Sequence, residues 1–365
     1  MADGRHDVQA LVLQAYSRSR FTFDLVISAF LQALHSHRRP SVCTPFPTSL
    51  FVTEQAEKDF DAAEAAIREF SNLYMESGMI GSENAHVSAK GESPLSNLSF
   101  KSLKLLEWLL RLRYEVHVVE DPTLELPKEI TEKLYVSAKG AIAQFGVLPS
   151  YILKLKESDA RAFTAFEQQR SRFGSVFAFH GTSAENLHSI LRCGLLILSN
   201  SSLQRNGAIF GEGIYLSLDP AVAFGFSKAG IGWECSHFGQ RARYLLLCEV
   251  ALGEQVLSSK SSQVFSSKSD GHLGAYIIVQ NCDLVKLRFI FLYVEPSSNN
   301  ARPKICNEQH QLRGLRTESW GFQSKKINWC KVMIVFYALL LMGIAILNSH
   351  WPSKFSSKLH KTSRK

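Results

Sequence analysis

The chain of 365 residues has no CxxC pair and no Cys/His cluster at zinc-ligand spacing. That excludes zinc-finger and thioredoxin-type classes. Its seven cysteines, Cys43, Cys193, Cys235, Cys248, Cys282, Cys306 and Cys330, are scattered, odd in number and without framework spacing. A reducing compartment is therefore expected for the soluble part. A signal peptide is lacking too, because in MADGRHDVQALVLQAYSRSR the apolar stretch is short and Asp3 and Asp7 interrupt it. Acidic residues are scarce near the C-terminal end. Residues 302–365 hold 12 of the 41 Lys and Arg but two of the 33 Asp and Glu, so they carry +10 and the other 301 residues −2. The overall charge of +8 thus does not lie on the folded part, which argues against a nucleic-acid partner. Basic residues around an apolar segment meet anionic lipid headgroups instead. The remaining composition, 45% hydrophobic and 20% charged, suffices for two soluble domains with cores of their own.

One long apolar run is present. Residues 332–347, VMIVFYALLLMGIAIL, carry no charge, and Trp329 and Trp351 flank them 22 positions apart. As a helix that spacing spans roughly 33 Å, one bilayer core with its interfaces. Tryptophans at both ends suit the interfacial belts, and Lys331 can snorkel. A buried core helix is the alternative; a transmembrane helix over 329–349 is the preferred reading. Only 14 residues, five of them Lys or Arg, follow Trp351. Such a helix leaves the ribosome after synthesis ends and would insert as a tail anchor, leaving the preceding chain in the cytosol and 350–365 as a short luminal tail. Basic residues on both sides leave the positive-inside rule undecided. The sequons Asn97-Leu98-Ser99 and Asn200-Ser201-Ser202 are then expected to stay unmodified.

The N-terminal third has helical periodicity. Phe23, Val26, Ile27, Phe30 and Leu34 form one stripe, with Thr22 as the expected cap and Pro40 beyond its end. Phe60, Ala63, Ile67, Phe70 and Tyr74 form a second, with Thr53 as the expected cap. Residues 103–112 make a third helix, and 77–99, rich in Gly, Ser and Asn, a loop. From about residue 113 short β-rich runs appear at 176–179, 243–251, 276–279 and 288–294, with a helix over 183–192. This is an α+β pattern and not a regular βαβ alternation.

Two constellations carry chemistry. In Phe179-His180-Gly181-Thr182 an apolar strand ends at an imidazole, and Thr182 with Glu185 reads as a capping box opening a helix that Gly194 stops. Strand-to-helix corners present side chains and amides to a ligand. In Phe210-Gly211-Glu212-Gly213-Ile214-Tyr215-Leu216 two glycines permit close backbone approach, and Tyr215 offers a ring to a flat aromatic group. A Rossmann loop would need a third glycine where Leu216 stands, so a dinucleotide-dependent dehydrogenase is rejected.

These residues resemble the catalytic domain of the PARP family of ADP-ribosyltransferases, whose His-Gly-Thr and Gly-x-Gly-Ile-Tyr motifs stand here with His180 and Tyr215 35 positions apart. The third family position falls on Tyr276 of AYIIVQN, where chain-forming members have glutamate. Within the family the order of segments is similar to that of the tail-anchored endoplasmic-reticulum member. The resemblance implies an ADP-ribosyltransferase fold of the α+β class, with an N-terminal α-helical regulatory domain (1–112) and a catalytic domain (113–297). A basic linker (298–328), the transmembrane anchor (329–349) and the luminal tail (350–365) follow.

It implies NAD as substrate and no metal. The catalytic set would be His180, Tyr215 and Tyr276, with His180, Gly181, Thr182, Tyr215 and Phe226 holding NAD. A tyrosine hydroxyl ordinarily titrates near ~10 and is a poor base at neutral pH. One ADP-ribose per site is therefore expected, not a polymer. Two positions depart from the family pattern: a common serine is Ala223, and a stacking tyrosine is Phe226. Loss of one hydrogen bond costs about 1 kcal/mol, weakening NAD binding without abolishing catalysis. The implied acceptors are proteins at the cytosolic face of the endoplasmic reticulum, or of the nuclear envelope continuous with it, including stress-sensing kinases and the enzyme itself. A catalytically weak, membrane-tethered NAD-binding scaffold is the alternative.

Overall fold

The computed structural model describes residues 3–77, 95, 97–135, 148–158, 163–197, 212–236, 238–258 and 276–295. All lie in Met1–Gln309, a single compact unit. The apolar run 332–347, the linker, Gly211 and most of the 77–99 loop lie outside the described residues. Among the described residues no helix is long and apolar enough to cross a membrane.

Five helices come first: α1 (Asp3–Arg18), α2 (Arg20–Leu34), α3 (Arg39–Val42), α4 (Phe60–Ser77) and α5 (Phe100–Leu110). Helix α2 buries every residue from Phe23 to Leu34, not one stripe. The reason is a second partner. Phe23, Val26, Ile27 and Phe30 belong to the core among the helices, while Leu25 and Ala29 belong to the core of the sheet. A helix covered on all sides is the middle layer of a domain.

Two caps differ from expectation. Helix α2 begins earlier, and Ser19 Oγ accepts the Thr22 N–H at 3.1 Å. Asp59, not Thr53, caps α4 by accepting the Ala62 N–H at 3.0 Å. Thr53 Oγ1 accepts the Glu57 N–H in the turn before it. In both cases a neighbouring polar residue lies at the true helix start, which tertiary packing decides.

The rest of the unit holds β1 (Tyr114–Val118), α6 (Pro122–Glu125), α7 (Lys128–Tyr135), β2 (Tyr151–Glu157), α8 (Phe163–Phe173), β3 (Ser175–Gly181), α9 (Leu187–Cys193), β4 (Ile214–Ser217), α10 (Pro220–Phe224), β5 (Gly230–Ile231), β6 (Arg241–Ala251), β7 (Val256–Ser258), β8 (Tyr276–Val279) and β9 (Val285–Val294). The strands form one sheet in the order β1-β2-β9-β6-β3-β4-β8-β7, with β5 beside β6. Every pairing is antiparallel. Strands β6 and β9 are central and nearly continuously apolar, as strands covered on both faces must be.

Helices and sheet exchange residues across their boundary. Trp233 and Cys235, after β5, are buried in the core of the helices. The Trp233 ring stacks on Phe70 at 5.5 Å and 26°. Its indole N–H donates to Ser71 Oγ at 2.7 Å. The same helices thus back the sheet and are filled by it.

Candidate active site

His180 stands at the end of β3, between β6 and β4. Strand β3 is registered against β6 over its whole length, from Ser175↔Ala251 to Gly181↔Leu245. Against β4 only one pair forms, Phe179↔Ser217. Past that pair the His180 side chain connects the strands, with Nδ1 2.9 Å from the Tyr215 carbonyl. A carbonyl only accepts, so Nδ1 carries the proton, and the neutral ring keeps Nε2 as an acceptor. Burial pushes the His180 pKa down, opposed by the Tyr215 carbonyl. The imidazole is thereby held neutral.

Tyr215 and Tyr276 come from neighbouring strands. The register Tyr215↔Ile278 and Ser217↔Tyr276 makes them a diagonal pair on one face. Their rings meet edge to face at 6.5 Å. On this strand Ile214 and Leu216 point the other way, into the core. Phe226, just past α10, lies 6.4 Å from Tyr276 at 70°. It is 43% exposed, unusually open for a phenylalanine inside an aromatic group. Three rings from three separate segments therefore converge beside His180.

The glycines are set by packing as much as by any ligand. A Cβ on Gly181 would stand 1.7 Å from the Ala223 carbonyl oxygen and 3.1 Å from the Phe226 Cβ. The end of β3 and helix α10 touch backbone to backbone there, and only glycine fits. Gly213 adopts φ +156, and a Cβ there would lie 2.7 Å from Ile278 Cγ2. Its lack of a side chain lets β4 meet β8.

Thr182 is buried, and its Oγ1 accepts from the Asn186 side-chain amide at 3.0 Å. The expected capping box with Glu185 does not form. A 3-10 turn, Ala184–Asn186, precedes α9, and its N-cap Ser183 gives no side-chain cap bond. Glu185 reaches away from the turn to Ser36 and Arg38 of the helical layer. Gly194 does end α9, at φ +79, its N–H donating to the Ile190 carbonyl.

His180, Gly181, Tyr215, Tyr276 and Phe226 thus share one locality: an imidazole acceptor, a side-chain-free stretch of backbone and open aromatic rings. Thr182 lies beside them with its hydroxyl committed to the turn. Such a set can hold a flat heteroaromatic ring and a sugar hydroxyl. Sequence reasoning passed over Ala223 as a packing partner of Gly181, and the polar face of α9. Only the spacing of Glu185, His188, Ser189 and Arg192 along one helix face carried a signal for the latter.

The poly(ADP-ribose) polymerase catalytic domain matches residues 134–276, and the ARTD15 N-terminal domain matches residues 14–110. The chain carries a PARP catalytic domain, that of the ADP-ribosyltransferases, behind an ARTD15-type N-terminal domain. Among its relatives, protein mono-ADP-ribosyltransferase PARP16 of Homo sapiens is 24% identical over 93% of this chain and 94% of that protein. The Mus musculus PARP16 is 26% identical over 93% of this chain and 95% of its own. Homo sapiens PARP8 is 27% identical over 72% of this chain, which is 27% of that longer protein. The PARP match ends at Tyr276, so all three expected catalytic positions fall within it. The PARP catalytic domain uses NAD as its substrate.

Proposed function

We propose that the enzyme transfers a single ADP-ribose from NAD to protein side chains, its own included, and does not build a polymer. The observation that carries this is Tyr276. It occupies the third position of the set, edge to face with Tyr215 at 6.5 Å, where chain growth would call for a carboxylate. The mono-ADP-ribosyltransferase names of the PARP16 and PARP8 relatives support the same reading.

NAD supplies an ADP-ribosyl group on an already cationic leaving group, so positioning and charge stabilisation account for most of the rate. His180 accepts a ribose hydroxyl at Nε2 while Nδ1 stays tied to Tyr215. The Tyr215 ring stacks on the nicotinamide, the Gly181 backbone holds its carboxamide, and Phe226 covers it from the α10 side. As the glycosidic bond breaks, nicotinamide leaves with the electron pair and an acceptor side chain attacks the anomeric carbon.

The same reading places the enzyme on the endoplasmic-reticulum membrane or the nuclear envelope, anchored by 329–349, with the catalytic part in the cytosol. Its acceptors are proteins of that surface, stress-sensing kinases among them, and no nucleic acid is needed. The apolar run with its paired tryptophans and basic flanks supports this. A glycosylation sequon appended after Lys365 tests the topology: modification of that sequon alone is expected, and an unmodified tail with a modified Asn97 reverses the orientation.

The activity is tested with the full-length protein in detergent and labelled NAD, beside His180→Ala and Tyr215→Ala. Single ADP-ribose additions, lost in both variants, are expected. A polymer ladder refutes the role given to Tyr276. A folded protein that takes no label supports the tethered scaffold.

A further inference from the structure

Glu185, His188, Ser189 and Arg192 follow the spacing i, i+3, i+4, i+7, which in apolar form marks the buried face of a helix. Here the face is polar, and the helical layer meets every member of it. Ser36 Oγ donates to the Glu185 carboxylate, and Arg38 Nη1 lies 3.4 Å from it. His188 Nε2–H donates to the Pro45 carbonyl at 2.9 Å, and Ser189 Oγ–H to that of Val42 at 2.7 Å. Arg192 Nη1 donates to the Trp108 carbonyl at 3.1 Å.

Glu185 differs from the other three in position. It sits in the 3-10 turn itself, three residues after Thr182. Such turns have poor hydrogen-bond geometry and need support from outside. Ala184 N–H donates to the Lys228 carbonyl at 3.0 Å, two residues beyond Phe226. Helix α2 closes the assembly, since a Cβ on Gly230 would stand 2.8 Å from Ala184 Cβ and 3.0 Å from Gln32 Cγ. The turn, the segment after Phe226 and α2 therefore touch without room for a methyl group. Side-chain exposures of 15% for Glu185 and 19% for Arg38 leave their pair little screened. Deleting one partner leaves the other charge partly buried and uncompensated.

We propose that Glu185 is a positioning residue for NAD: held by Ser36 and Arg38, it fixes the 3-10 turn so that His180, Gly181 and Phe226 stand in binding geometry. The helical layer thereby sets the affinity of the site. The inference rests on reading that site as the NAD pocket.

The test uses the full-length protein in detergent, with initial labelling rates measured across NAD concentration and thermal midpoints alongside. Glu185→Ala is expected to raise KM for NAD about fivefold or more with kcat within about threefold, the pattern of lost binding and not of lost chemistry. Arg38→Ala does the same, and the double variant is no worse than the poorer single one. Glu185→Gln, which keeps an acceptor for Ser36, recovers part of the affinity. A merely structural contact would lower the midpoint and kcat and leave KM in place. With an active wild type, KM within about twofold of normal in Glu185→Ala overturns the role of Glu185. Should that variant not fold, the same result in Arg38→Ala overturns it. A wild type that takes no label overturns the NAD reading and the inference with it.

Discussion

The imidazole of His180 donates from Nδ1 to the backbone carbonyl of Tyr215 at 2.9 Å, so two members of the proposed catalytic set are bonded to each other before any substrate arrives. His180→Asn separates the two functions of the ring. An asparagine amide can occupy the Nδ1 position and keep the link to Tyr215, but it has no Nε2. Labelling is expected to fall about a hundredfold or more, the usual consequence of misplacing a substrate by an ångström. The thermal midpoint should stay near wild type, as differential scanning fluorimetry would show.

Gly181→Ala is expected to fail for a different reason. The new methyl would lie 1.7 Å from the Ala223 carbonyl oxygen, so β3 and α10 must separate. Overpacking of this kind costs roughly 1–3 kcal/mol. Urea unfolding should show that loss together with loss of labelling. An unchanged midpoint and activity would contradict the backbone contact described for this corner.

Tyr276→Phe keeps the ring that packs against both Tyr215 and Phe226. Removing only the hydroxyl should leave the rate within about threefold of wild type and the product at one ADP-ribose per site, since a phenol is a poor base near neutral pH. Intact-mass spectrometry of the modified protein decides it. A fall of the size expected for His180→Asn would give the hydroxyl a chemical role.

Stability should fall in acid before the carboxylates titrate. Burial pushes the pKa of His188 from 6.5 down to about 4, against the pull of the Pro45 carbonyl and with the help of Arg192. The unfolded chain takes up a proton below pH 6.5, while the folded chain refuses it until near pH 4. The contribution is therefore complete above 6.5 and lost as pH falls through that window, by about 3 kcal/mol at the lower end. His180, also shifted down by burial, adds in the same direction. Urea midpoints at pH 7.5 and pH 4.5 measure the loss. His188→Gln, which keeps a donor for Pro45, should flatten it.

Strand β8 has the bounds its β-rich run suggests, and β3, β6 and β9 differ from expectation only at their ends. Runs of branched and aromatic residues carry that signal without help from the rest of the fold. Helix α1 is not legible in the same way, because its apolar stripe is only Val8, Val12 and Tyr16 within a polar segment. Its partner α5 is far along the chain. Strand β4 is four residues long and takes its identity from β8. The candidate site was legible in part as motifs: His180, Gly181 and Tyr215 stood out by their chemistry, and Tyr276 was placed only by the resemblance to the PARP family. The support was not. Glu185 looked like half of a cap, and the polar face of α9 went unread. Ser36, Arg38 and the Pro45 carbonyl, which make it an interior surface, lie more than a hundred positions away.

The exchange of residues between helices and sheet has a consequence in time. The Trp233 backbone N–H donates to Ser28 Oγ across 205 positions of chain, and its ring fills the space beside Phe70. A ribosome adding about 5–20 residues per second takes roughly ten to forty seconds to travel that distance. Throughout that interval α2 is outside the ribosome with Phe23, Ile27 and Phe30 lacking the indole that completes their core, and with Leu25 and Ala29 lacking the sheet. The helical layer is made before the sheet and is finished only when the sheet arrives.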